Sequence, residues 1–300
     1  MAQPIPAPPR PALAAEHLLE GVLFGKLRKG RRRRARVTVL ANHKGGVGKT
    51  FWAMVMAAEL AQRGFKVLVA DADPQGNTSR RLGYAEHELE NRPTIAEAIA
   101  ESSSKIARQA LLPCQWEEDW AENITLLPSR IELENRVPEA GVPGSWLRLE
   151  EALDPLLDEF DFILIDTQPT LGHLLHLALV LADDVLVPAT PEYDSIRGAQ
   201  RLIDFVTLPK NRRSLGIDAE VIGVLLNAKR NGVVTHEERA KKVVKQWGPL
   251  VWEPALPLRA AYADTQEFAE SPHSASDPAG KLIRETAKTL VDRYLEKAAA

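Results

Sequence analysis

The stretch from Val37 to Asp73, VTVLANHKGGVGKTFWAMVMAAELAQRGFKVLVADAD, constrains the fold more than any other part of the chain. An apolar run leads into a glycine-rich turn closed by Lys49 and Thr50, a helical pattern follows, and a second apolar run ends in two aspartates. Periodicity orders these as strand, loop, helix, strand. A strand that feeds a glycine turn and then a helix N-terminus points several backbone N–H groups, and the positive end of the helix dipole, at one place. Such a place binds phosphate.

The loop itself is HKGGVGKT, His43 to Thr50. It departs from the general G-x-x-x-x-G-K-[ST] template because His43 stands where the first glycine belongs, with Gly45, Gly46 and Gly48 inside. Lys49 is the lysine that such loops extend to the β and γ phosphates. Lys44, directly before Gly45, supplies a second cation with no evident task inside its own subunit.

KGGVGKT resembles the deviant Walker A loop of the ParA/MinD family of P-loop ATPases. The resemblance implies that ATP is sandwiched between two subunits and that Lys44 of each reaches the nucleotide of the other. It further implies that residues Lys44, Gly45, Gly46, Val47, Gly48, Lys49, Thr50 and Phe51 form the nucleotide cradle, and that the Thr50 hydroxyl meets Mg²⁺. Phe51 and Trp52 replace the usual threonine-rich continuation and are read as packing residues of the next helix.

The second strand, Phe65 to Ala70, runs into DADPQGNTS, Asp71 to Ser79, which resembles the ParA switch I motif through Pro74, Gln75 and Asn77. Two carboxylates leaving a parallel strand beside a phosphate loop lie where Mg²⁺ and attacking water are handled. By resemblance Asp73 orients or activates the water and Asp71 holds a water on the metal, so Lys44, Lys49 and Asp73 are the expected catalytic residues. DFILIDTQP, Asp161 to Pro169, is a buried strand ending in Asp166, a Walker B arrangement that completes the Mg²⁺ shell through water. Gln168 stands where the family has proline, which leaves the behaviour of switch II open.

Further strands are read at Ile124–Pro128, Asp184–Val187 and Val221–Asn227, and helices at Thr94–Ala100, Ser145–Phe160, Thr235–Trp247 and Lys281–Lys297. Thr94 is the expected cap of its helix. Trp116 and Trp120 are either a helix face or a loop anchor. Pro191 and Glu192 open a helix that contributes to the dimer face in relatives and are taken here as scaffold. Asn227 ends its strand at the position that contacts adenine in the family, a role compatible with turn formation; Pro257 belongs to the same base-side group. The segment Leu256–Asp264 resembles the family's I-P-x-x-x-x-x-A-E motif, with Tyr262 in place of its basic residue and Arg259 nearby.

Composition limits the alternatives. The net charge is −3 on 300 residues, and residues 1–36 hold nine Lys/Arg against Glu16 and Glu20, leaving the remainder acidic. Residues 1–35 read as a proline-rich, arginine-rich leader, with a short helix over 16–29 and Arg31–Arg34 as a solvated arm, a DNA contact or a lipid contact. Residues 36–300 read as one ATPase domain. The single cysteine, Cys114, excludes an internal disulfide and disfavours a cluster-bridging iron protein; packing is its expected role.

No apolar run reaches the roughly 18 residues of a membrane span, and the last helix lacks an anchor-like face, so a cytoplasmic, nucleoid-associated protein without a stable membrane anchor is expected. Lys229, Arg230, Arg239, Lys241, Lys242 and Lys245, with Arg212 and Arg213 upstream, are either a solvated helix face or, as in ParA proteins, a non-specific DNA contact doubled by dimerisation.

The expected fold is α/β, a doubly wound, mainly parallel sheet with helices on both faces. The resemblance implies a Mg²⁺-dependent ATPase that dimerises on ATP, binds DNA without sequence preference and drives plasmid or chromosome partition with a ParB-like partner. The alternative is a related positioning ATPase for a non-DNA cargo or a membrane site.

Overall fold

The computed structural model describes residues 34–227, 234–256, 270–274 and 278–299. Eight strands form one sheet: β1 Arg36–Leu40, β2 Val67–Ala72, β3 Leu112–Pro113, β4 Ile124–Leu127, β5 Phe162–Thr167, β6 Asp184–Ala189, β7 Glu220–Leu226 and β8 Val251–Trp252. Their spatial order is β3-β4-β2-β5-β1-β6-β7-β8. Only the β3–β4 pairing is antiparallel. The sheet is therefore doubly wound, as expected, and the chain leaves β1 where the direction of winding reverses. Ligand sites in such sheets open at that reversal, beyond the carboxyl ends of the strands.

Period-two alternation fills both faces. Val37, Val39, Leu68, Ala70, Ile163 and Ile165 join one core, with the helices Ile95–Ala100, His173–Leu181 and Tyr193–Thr207. Leu40, Val67, Val69, Phe162 and Leu164 join the other, with Lys49–Gln62 and Pro278–Ala299. Strands covered on both sides are continuous apolar runs, which is why they were easy to read.

The helix Lys49–Gln62 is buried almost all round, Phe51 and Trp52 included, because the last helix covers the side that the sheet does not. Arg63 fastens the two helices, bonding Glu59 at 2.6 Å and Asp292 at 2.6 Å. The apolar residues Ile283, Leu290, Val291, Tyr294 and Leu295 of the last helix are spent on this packing. No helix among the described residues is long and apolar enough to cross a membrane.

Thr94 caps its helix, its hydroxyl accepting from the Ala96 N–H while Glu97 closes a capping box. One expected helix is broken. The single helix expected over Ser145–Phe160 is a 3-10 turn Ser145–Leu147, an α-helix Arg148–Leu153 and a second 3-10 turn Asp154–Leu156. Pro155 lacks the N–H that would continue the helix and crowds the preceding turn. Trp116 is a loop anchor: it is buried, donates to the Arg81 carbonyl at 2.8 Å and meets edge to face Trp120, which lies in the 3-10 turn Asp119–Asn123. Cys114 is half-buried and its thiol is pushed up to about 12 by burial, which suits a packing role.

Candidate nucleotide site at the switch point

The phosphate loop leaves β1 through Asn42, whose side-chain amide donates to the Pro188 carbonyl at 2.8 Å. Gly46 and Gly48 sit at φ 71° and 91°, the left-handed region that residues with a Cβ rarely adopt, and Gly48 starts the helix at Lys49. Lys44, Gly45 and Gly46 are exposed, whereas Val47 and Lys49 are buried. The two lysines of the loop thus differ in kind. Lys49 is held inside the site and burial lowers its pKa, against the raising influence of Asp166 and Asp73. Lys44 faces outward.

The loop is braced from distant parts of the chain. Asn227, fully buried at the end of β7, donates its amide to the Val47 carbonyl. Its Oδ1 is buried without a partner. Pro169, after the β5 strand, stands beside Gly45, where an added Cβ would lie 3.8 Å from its ring. On the other flank the helix Tyr193–Thr207 approaches through Gly198: a Cβ there would stand 2.7 Å from Asn42 Oδ1 and 3.2 Å from the Lys44 Cβ. Glu192 is the residue before this helix, and Tyr193, its first, is 67% exposed.

Three carboxylates gather at the strand ends. Asp71 and Asp166 are fully buried register partners on β2 and β5, and Asp73 follows on the turn. Thr50 donates its hydroxyl to Asp166 Oδ2 at 2.6 Å, and Thr78 donates to the same oxygen at 2.8 Å. Asp71 Oδ2 accepts from the Ser79 hydroxyl at 2.8 Å and the Ser79 N–H at 2.9 Å. Asp73 Oδ1 accepts the Gln75 N–H at 3.0 Å.

Burial, then the neighbouring Asp166, pushes the Asp71 carboxyl up to about 7, and burial likewise raises Asp166 against the pull of Thr50 and Lys49. Two buried carboxyls so close are costly to ionise without a cation. Asp166 Oδ1 has no hydrogen-bond partner. Among the described residues no group of three or more His, Cys, Asp or Glu could hold a metal by protein ligands alone. A hydroxyl and two neighbouring carboxylates instead fit Mg²⁺, which keeps waters and shares its shell with phosphate.

The residues expected at the site therefore meet at one sheet edge, except Pro257, which with Arg259, Tyr262, Lys229 and Arg230 lies outside the described residues, as do residues 1–33 of the expected leader; its last two residues belong to the domain, Arg34 pairing with Asp154 at 3.2 Å and Ala35 buried in the core. Thr78, Ser79 and Gly198 went unnoticed in the sequence. Gly198, a lone glycine in an amphipathic helix, carries a signal; Thr78 and Ser79 close the switch I motif without a role of their own in the sequence.

A family model described as an AAA domain matches residues 35–217. An uncharacterized protein of Mycobacterium tuberculosis is 32% identical, covering 87% of this chain and 80% of the relative. The chromosome partitioning protein ParA of Myxococcus xanthus is 30% identical, covering 82% of this chain and 84% of that protein. The chain belongs to the ParA family of P-loop ATPases. Among solved structures, apo McdA from Cyanothece superposes with a TM-score of 0.74 at 23% identity over 86% of this chain and 99% of that one. Cobyrinic acid a,c-diamide synthase from Mycobacterium smegmatis with bound ADP and magnesium gives 0.69 at 26% identity, over 87% and 95%. One fold serves proteins of different function, so the task of this ParA-type ATPase rests on its own side chains.

Proposed function

We propose that the protein hydrolyses ATP with Mg²⁺ as a nucleotide-sandwich dimer whose ATP-bound form holds DNA, and that a ParB-like partner stimulates hydrolysis in plasmid or chromosome partition. The observation that carries this reading is the contrast between the two loop lysines, one buried and one exposed. Lys49 serves the phosphates of its own subunit; Lys44 is free to serve those of a second.

In this reading the backbone from Gly45 to Phe51 cradles the phosphates and Lys49 reaches the β and γ groups. Thr50, Asp71 and Asp166 would hold Mg²⁺, the two carboxylates through water. When bound there, Mg²⁺ would supply positive charge against the phosphates. Asp73 orients the attacking water. Asn227 and Pro257 form the base side. The ADP and magnesium of the M. smegmatis neighbour support ATP and Mg²⁺ as the ligands here.

DNA binding draws on Arg239, Lys241, Lys242 and Lys245, all exposed on the helix Val234–Trp247. Trp247 and Gln246 on this helix bond Gln200 at 2.8 Å and 3.0 Å, tying it to the helix whose Gly198 touches the loop. A dimer sets two such faces side by side, so phosphate contacts double. The protein is expected in the cytoplasm on the nucleoid, and residues 1–35 act as a leader to the ATPase domain at 36–300.

The test is DNA binding with ATP and with ADP across a salt series. Tighter binding with ATP, weakening steeply with salt, is expected, and Asp73→Ala should prolong it by blocking turnover. Equal binding with both nucleotides would remove DNA as the partner and favour another cargo.

A further inference from the structure

The short helix Asn77–Arg81 sets two consecutive hydroxyl residues on two different strands. Thr78 reaches Asp166 on β5 and Ser79 reaches Asp71 on β2, and these carboxylates are register partners. Thr78 is 0% exposed, so its hydroxyl is shut off from bulk solvent. It shares Asp166 Oδ2 with Thr50, while Oδ1 has no partner. The far side of the segment is fixed as well. Ser79 Oγ accepts the Ser129 N–H at 3.0 Å, and the Arg81 carbonyl accepts the Trp116 indole N–H at 2.8 Å.

Thr50 belongs to the loop and stays beside the phosphates. Thr78 belongs to the segment that follows Asp71 and Asp73, so its bond links that segment to the opposite strand. A carboxylate oxygen that accepts two hydroxyls has part of its charge already balanced. A cation, or a water carried on one, then gains less from it.

We propose that Thr78 is a positioning residue for the cation site: its hydroxyl balances Asp166 and holds the Asn77–Arg81 helix on the strand ends until a divalent cation takes over that charge. The inference rests on reading Asp71, Asp166 and Thr50 as the Mg²⁺ site. Thr78 weakens Mg²⁺ binding and, in return, makes the position of the helix answer to it.

The test titrates Mg²⁺ against binding of a fluorescent ATP analogue to the full chain, for wild type, Thr78→Val and Thr78→Ser. Val keeps the shape and lacks the hydroxyl; Ser keeps the hydroxyl. Half-saturating Mg²⁺ should fall about tenfold in Thr78→Val, the equivalent of one hydrogen bond to a charged group. It should return to the wild-type value in Thr78→Ser. In parallel, trypsin should cut Thr78→Val at Arg80 or Arg81 faster than wild type when Mg²⁺ is left out.

An unchanged or higher Mg²⁺ requirement in Thr78→Val overturns the proposal. A wild type whose nucleotide binding ignores Mg²⁺ overturns the cation-site reading beneath it. Should Thr78→Val fail to fold, Thr78→Ala against Thr78→Ser makes the same comparison.

Discussion

Gly198 lies against Asn42 so closely that a Cβ on it would stand 2.7 Å from the Asn42 Oδ1. Asn42 cannot readily retreat, because its amide is held by the carbonyls of Pro188 and Ser195. The same Cβ would press on the Lys44 side chain and the His43 backbone at 3.2 Å and 3.3 Å. The helix Tyr193–Thr207 is therefore in van der Waals register with the start of the phosphate loop.

Gly198→Ala should gain about 1 kcal/mol in helix propensity and lose about 1–3 kcal/mol to overpacking. The net expectation is a modest loss of stability in denaturant unfolding, with a clear loss of nucleotide affinity as the loop is displaced. A variant that binds nucleotide as tightly as wild type would show that the loop is not set by this contact.

Lys44→Ala removes an exposed side chain and should change stability by no more than about 0.5 kcal/mol. Nucleotide binding to the monomer should survive, while the rise in specific ATPase activity with protein concentration should disappear. Undiminished concentration-dependent turnover would exclude a cross-subunit role.

Asn227 donates to Val47 from a site without solvent. Asn227→Ala should cost about 1–3 kcal/mol by leaving the buried carbonyl unpaired. Asn227→Asp should cost more, since a carboxylate there faces a carbonyl oxygen. Thermal unfolding and equilibrium nucleotide binding would rank the two; equal effects would point to lost packing only.

His273 gives the acid side of the stability profile. Burial, then the nearby Arg284, lowers its pKa from 6.5 to about 4, and its ring lies edge to face with Trp120. The fold holds the neutral ring, so this contribution is intact above pH 6.5 and is lost as the pH falls towards about 4. The full loss is roughly 3 kcal/mol. His273→Phe should flatten the fall in denaturant-measured stability between those limits, and a parallel curve would assign the acid sensitivity to other groups.

Asp71 and Asp166 were legible because each lies at the end of a buried apolar strand bounded by a turn, and Asp73 because it follows directly. The loop was legible because Gly46 and Gly48 sit where positive φ is needed. What the hydroxyls of Thr78 and Ser79 bond to was not, since a threonine or serine after a glycine is equally at home in a turn. The contact of Gly198 depends on how a helix crosses a loop some 150 positions earlier, a distance that local periodicity does not reach. The break of the Ser145–Phe160 helix was signalled by Pro155, yet the amphipathic pattern runs through it. The place of Asn227 at a strand end is visible in the sequence; its bond to Val47 follows only once β7 has paired with β6, which itself pairs with β1.

The bonds that shape the phosphate loop come from residues 188, 195 and 227, far along the chain from the motif itself. During synthesis the glycine-rich segment is complete long before its supports exist. Competence to bind nucleotide is therefore a late event in the life of the polypeptide. A fragment that stops short of β7 carries every letter of the motif and lacks the scaffold that gives it a shape.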